Sequence, residues 1–105
     1  MTLQVQFEPE AMDELRAAKD WYDNERPGLG DDLLTEVETI IDHIVRWPGL
    51  APVLTIPGST RQVRRAAVRR FPFGIVYVVI DNALWVVAVA HDRRRPNYWR
   101  DRVQR

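Results

Sequence analysis

Apolar and polar positions along this chain change period several times, and each change marks an element. Leu3, Val5 and Phe7 alternate with Gln4 and Gln6, the period of a short half-buried strand. Ala11, Leu15, Ala18 and Tyr22 then recur at i, i+4, i+7 and i+11, one stripe of a helix, with Trp21 beside it. Pro9 suits the first helical position, and Glu8, Glu10, Asp13 and Glu14 suit the positive end of a helix dipole. Asn24-Glu25-Arg26-Pro27-Gly28 ends that helix; Gly28 and Gly30 are expected to form the turn, with Asp31 or Asp32 capping a second helix. Leu33, Val37, Ile40, Ile41 and Ile44 form its buried stripe, and Trp47-Pro48-Gly49 ends it. Two helices joined by so short a turn pack antiparallel as a hairpin. Trp21, Tyr22 and Trp47 are expected in the core, and His43 on the surface.

Residues 50–60 carry Pro52, Pro57 and Gly58 and are expected to form a loop. Residues 61–70 look like an arginine-rich strand. Alternation sets Arg64, Ala66, Val68 and Arg70 on one side and Val63, Arg65, Ala67 and Arg69 on the other, without saying which side faces inward. Phe71-Pro72 breaks the run. Residues 73–80 and 84–91 are two runs of β-branched and aromatic residues around Asp81-Asn82-Ala83, a hairpin whose turn residues tolerate left-handed backbone. Both runs are apolar on both faces, so each face needs cover. The predicted order is β-α-α-β-β-β, an α+β fold with a helical hairpin on one face of an antiparallel sheet.

A length of 105 residues implies one domain, residues 1–105. The chain has no cysteine, which excludes disulfides, thiolate chemistry and Cys-type zinc sites. Neither a signal peptide nor an apolar run of membrane-spanning length is evident, so a cytoplasmic protein with no membrane partner is expected. Net charge is zero, but it is unevenly spread. Residues 1–50 hold twelve acids against four bases, net −8, and residues 51–105 hold eleven arginines against three acids, net +8. Such a division suits one anion-binding face. Fourteen of the fifteen basic residues are Arg, whose planar fork matches phosphate and carboxylate. There is no Gly-rich phosphate cradle and no metal-ligand cluster, so neither cofactor nor metal is expected.

Four stretches carry a family resemblance: Ala18-Lys19-Asp20-Trp21-Tyr22; Arg26-Pro27-Gly28-Leu29-Gly30; Arg70-Phe71-Pro72-Phe73 leading to Ile75-Val76-Tyr77; and Ala88-Val89-Ala90-His91 running to Tyr98-Trp99, with Arg94 and Pro96 between. In this order they resemble the RelE/ParE superfamily of small bacterial toxins, and within it the ParE-like, plasmid-stabilisation branch. The resemblance implies a growth-arresting toxin of a type II toxin–antitoxin system, held in a heteromeric complex by an antitoxin from an adjacent gene.

The branches of that superfamily imply different chemistry on one scaffold. ParE-like members inhibit DNA gyrase by protein binding; RelE-like members are ribosome-dependent endoribonucleases acting on mRNA. Cleavage through a 2′-hydroxyl needs a base, a cation for the phosphate and an acid for the leaving oxygen. His91, Arg65, Arg70, Arg94 and Tyr98 are the candidates for those roles. RelE-like sites use lysines in the strand before the hairpin, whereas the only lysine here is Lys19, which favours the gyrase branch. On that reading Arg61, Arg64, Arg65, Arg69, Arg70 and Arg94 are expected to form one positive target-binding face, with Tyr98 and Trp99 near His91 either as further contacts or as caps on the open end of the core. A third reading is a non-toxic structural homologue. With one helical pair to cover two apolar sheet faces, the free chain is also expected to expose an apolar strip, poorly soluble until an antitoxin covers it.

Overall fold

The computed structural model describes residues 2–103. The elements are β1 (Gln4–Phe7), α1 (Pro9–Glu25), α2 (Leu29–Arg46), β2 (Val53–Leu54), β3 (Val63–Ala67), β4 (Phe73–Ile80), β5 (Ala83–His91) and α3 (Arg100–Val103). One sheet runs in the order β1-β5-β4-β3-β2. The β-α-α-β-β-β order is present with two additions: β2, inside the expected loop, and α3, in the tail. The sheet is antiparallel except at β1, which lies parallel to β5.

The helical hairpin is closed by local chemistry. Arg26 precedes Pro27, and proline disfavours α backbone in the residue before it; Arg26 is extended (φ −157°, ψ 124°), although its N–H still donates to the Tyr22 carbonyl. Gly28 takes the left-handed conformation (φ 90°) and is the N-cap of α2. Gly30 is therefore inside α2 rather than in the turn, and Asp31 and Asp32 lie in its first turn without capping it. Asp23 does what a cap would do: its Oδ1 accepts the Gly30 N–H at 2.7 Å and its Oδ2 meets Lys19 Nζ at 2.7 Å. A Cβ on Gly30 would meet the Lys19 carbonyl and the Asp23 carboxylate, so α1 and α2 can approach this closely only over a glycine.

The front of the sheet packs on the helices through Ile75, Tyr77, Leu84, Val86 and Val89 against Leu15, Leu33, Val37 and Ile44. The phase of β3 is resolved by the same cluster. Ala66 and Val68 face the helices, so Arg64 does too, while Val63 and Arg65 face back. β5 changes phase at a bulge, because Val76 pairs with Ala88 while Tyr77 pairs with Val86. Val87 is the extra residue, and Val87 and Ala88 both lie in the back cluster. That bulge is why β5 does not alternate, and bulges commonly re-aim side chains beside functional sites.

The back face is covered by the chain itself. Ile56 from the loop after β2, and Trp99 and Val103 from the tail, close a second core over Val63, Val76, Val78, Val87, Ala88 and Ala90. The expected open apolar strip is therefore absent here; short turns after His91 fold the tail back over the sheet. On the hairpin Val79 alone of the large apolar residues is exposed among the described residues; the others include Trp47 (57% exposed), Leu50 (70%) and Val53 in the edge strand. Trp21 is also outside the core, at 58% exposed, so of the three aromatics expected there only Tyr22 packs against it.

Candidate target-binding site

After Phe7 the chain leaves the sheet for α1, and Glu8 N–H donates to the Val86 carbonyl at 2.9 Å. Beyond that point β1 no longer covers the β5 edge, and its polar groups need other partners. Glu14, one turn into α1, supplies one. Its Oε1 accepts Val89 N–H at 3.1 Å and Arg102 Nη1 at 3.0 Å. Its Oε2 accepts the Tyr98 hydroxyl at 2.6 Å and Arg102 Nη2 at 3.2 Å. Arg102 Nη1 also donates to the Val87 carbonyl at 3.1 Å, so the bulge residue is held from the tail. Glu14 and Arg102 are 15% and 13% exposed, a two-pronged pair with its polar atoms satisfied, the condition for burying charge without a large penalty.

Tyr98 is fixed inside this cluster. Burial pushes its hydroxyl pKa far above tyrosine's ordinary 10, and the bond to the Glu14 carboxylate pushes the same way, against the opposing charges of Arg94 and Arg102. Its ring lies under the Arg94 guanidinium at 3.9 Å and near that of Arg102 at 5.2 Å. A phenol so placed donates a hydrogen bond and holds its proton.

Two open grooves meet beside the cluster. The front one, about 640 Å³, is lined by Glu14, Ala17 and Ala18, by the rings of Trp21, Tyr22 and Phe73, and by Pro72, His91 and Arg94. Trp21 stands edge-on to Tyr22 at 4.9 Å, and Phe73 edge-on to His91 at 5.1 Å. The back groove, about 310 Å³, is bordered by Arg65, His91, Arg94, Arg95 and Tyr98. His91 Nδ1 accepts the Arg93 N–H at 3.0 Å, which holds the imidazole between the two grooves. Arg65 lies flat over Gly74, where a Cβ would displace its guanidinium. Its Nη2 donates to Asp92 Oδ1 at 2.6 Å and to the Ala90 carbonyl at 3.4 Å.

The expected single positive face does not form. Arg64 faces the helices, giving Nη1 to the Ala51 carbonyl at 2.6 Å and Nη2 to Gln62 at 3.1 Å. Arg65 is on the opposite face, paired with Asp92. Arg70 sits in a left-handed turn (φ 70°) and reaches α2, where Asp32 and Glu36 lie 3.6 and 3.8 Å away. Arg69 borders a separate hollow with Glu36 and His43, and Arg61 borders another with Val78 and Trp85. First-half acids meet Arg70, and Glu36 borders the Arg69 hollow, because α2 packs beside β3. His91, Arg65, Arg94 and Tyr98 do come together at one end of the sheet, as expected of the tail; Arg70 is not among the residues bordering either groove there. Trp99 is buried in the back core, where it holds the tail down, and it also borders the back groove.

Three members of the site escaped sequence reasoning. Glu14 read as one more acid near a helix start. Its one distinguishing signal is its place beside the apolar stripe, next to Leu15 and four residues before Ala18. Trp21 read as core, although it lies one position off the stripe. Arg102 carries no local signal, since its partner is 88 positions away.

A small α+β domain, with a polar lock holding its tail beside two grooves, is the class these features define. The chain belongs to the ParE toxin family: the family model described as ParE toxin of type II toxin-antitoxin system, parDE, matches residues 5–96. Its fold is that of a chain described as the chromosomal ParDE TA system from P. aeruginosa, with TM-score 0.72 and 16% identity over 85% of this chain and 95% of that one. No curated protein sequence matches it.

Proposed function

We propose that residues 1–105 are a single toxin domain that acts in the cytoplasm by binding and inhibiting DNA gyrase, and that a cognate antitoxin encoded nearby neutralises it. The observation that carries the choice of a binder over a nuclease is the state of Tyr98. Its hydroxyl is committed to Glu14 at 2.6 Å and its pKa is raised far above the ordinary value, which suits a structural donor and makes a poor acid for a leaving oxygen. Arg65 is likewise tied to Asp92, and β3 contains no lysine. Family membership supports the toxin–antitoxin setting. Among the described residues no helix is long and apolar enough to cross a membrane, and no acid–histidine group is placed to hold a metal.

A second reading, a ribosome-dependent endoribonuclease, draws on His91, Arg65, Arg94 and Tyr98 bordering one groove. The test is a pair of purified assays. Inhibition of gyrase supercoiling, with mRNA left intact during ribosome-programmed translation, is the expected result. Cleaved mRNA and uninhibited gyrase would overturn the gyrase reading. A chain inert in both assays that still binds its antitoxin would be a non-toxic homologue.

A further inference from the structure

The front groove has an unbalanced rim. Of its two charged residues, Glu14 is satisfied by Val89, Tyr98 and Arg102. Arg94 has no acidic partner among the described residues, and its guanidinium rests on the Tyr98 ring at 3.9 Å. The free charge at the mouth of the groove is therefore positive. Trp21 lines the same groove; its indole meets the Tyr22 ring edge-on and is 58% exposed. An uncovered tryptophan and a stacked arginine, with no acidic partner among the described residues, line one groove, and both belong to the residue types enriched at interface hot spots. Both sit on firm supports, Trp21 on a 17-residue helix and Arg94 on the tail that Glu14 locks, so little ordering is needed on binding.

We propose that the toxin grips its target through this groove. A bulky apolar side chain of the target enters between Trp21, Ala18 and Phe73, and a neighbouring target carboxylate pairs with Arg94. The proposal rests on the gyrase reading and deepens it: the target segment is acidic and apolar, and the recognition residues are Trp21 and Arg94 rather than the arginines of β3. The committed occupant is a segment of gyrase, not the antitoxin, whose binding is measured separately.

The test uses the full chain and its variants Trp21→Ala, Trp21→Phe, Arg94→Ala, Arg94→Lys and Arg94→Glu. Gyrase inhibition, growth arrest on induction, antitoxin affinity and melting temperature are measured for each. Trp21→Ala and Arg94→Ala are expected to raise the inhibitory concentration by roughly tenfold or more and to relieve growth arrest. Arg94→Glu is expected to be worse, and Trp21→Phe and Arg94→Lys to keep part of the activity. Melting temperature and antitoxin affinity should stay near those of the parent. Unchanged inhibition in both alanine variants, or a loss confined to antitoxin affinity, overturns the proposal. If the parent chain leaves gyrase active but arrests growth, the gyrase reading falls while the growth comparison still decides the groove. A parent inert in both overturns both.

Discussion

At the scale of single residues, Glu14 has the widest reach. One carboxylate on α1 satisfies a β5 amide, a tail hydroxyl and a tail guanidinium, so its loss strands several partners at once. Removing one partner of a buried, hydrogen-bonded pair costs about 3–5 kcal/mol, and Glu14→Ala is expected to fall near the lower end of that range because the cluster keeps some contact with water. Urea unfolding would measure it; a loss below about 1 kcal/mol, the range of exposed pairs, would mean that the lock is ornamental. Tyr98 adds a pH dependence. Its folded-state pKa lies above the unfolded value of 10, so its contribution is complete below pH 10 and is lost as pH rises beyond it through the folded value. Tyr22 and Tyr77 are raised as well, by burial, and act with the same sign. Tyr98→Phe should therefore flatten the alkaline fall in melting temperature only in part; an unchanged slope would show that Tyr98 does not contribute to it.

Among elements, the α1–α2 hairpin depends on close backbone approach and one hydrogen-bonded carboxylate. Gly30→Ala places a methyl against the Lys19 carbonyl, and overpacking of this kind costs about 1–3 kcal/mol; a neutral or stabilising result in urea unfolding would contradict the geometry. Asp23 supplies the pH signature. The Lys19 ammonium first, then the Gly30 N–H, hold its carboxyl below the ordinary 3.8. Its contribution is therefore present above that value and is lost as pH falls through the lower folded value. Asp23→Asn is expected to reduce the steepness of acid unfolding below about pH 4, and a parallel acid limb in the variant would remove Asp23 from the account. Lys19 has the complementary shift, raised above 10.5 chiefly by its bond to Asp23, so its share is lost at high pH.

The whole molecule is a sheet with two cores, and the tail closes the second. Trp99 is the largest group that the tail contributes to it, and truncation of a buried tryptophan costs about 3–5 kcal/mol. Trp99→Ala is expected to lower stability by that order and to raise binding of a hydrophobe-sensing dye. The intact chain should bind little of it, apart from what the Trp47–Leu50–Val53 patch attracts. Strong dye binding by the intact chain, unchanged in the variant, would mean that the tail does not cover the back face. The charge division also reads differently at this scale. Packing α2 beside β3 sets Asp32 and Glu36 against Arg70, and the turn after β5 sets Asp92 against Arg65. Part of the +8 half is thereby neutralised within the fold, and Arg94 remains beside the groove with no acidic partner among the described residues.

Local chemistry alone determined most of the element order. A 3.6-residue stripe such as Leu33, Val37, Ile41 and Ile44 has one stable outcome, and Pro27-Gly28 can only interrupt a helix. The β4–β5 hairpin was equally legible, since two β-branched runs around Asp81-Asn82 have few other uses. Three things were left to tertiary structure. The facing of β3 was undetermined because Ala and Arg alternate with no apolar excess on either side, and only packing against α2 sets Ala66 and Val68 inward. The cover of the back face was invisible because it comes from Trp99 and Val103, which carry no periodic signal in so short a helix. The site itself was half visible: His91, Arg94 and Tyr98 stood out as chemistry on a tail, but Glu14, the anchor of Tyr98, lies 84 residues before it on another element. Hydrogen bonds of that span leave no pattern along a chain, because only the closing of the fold brings their partners together.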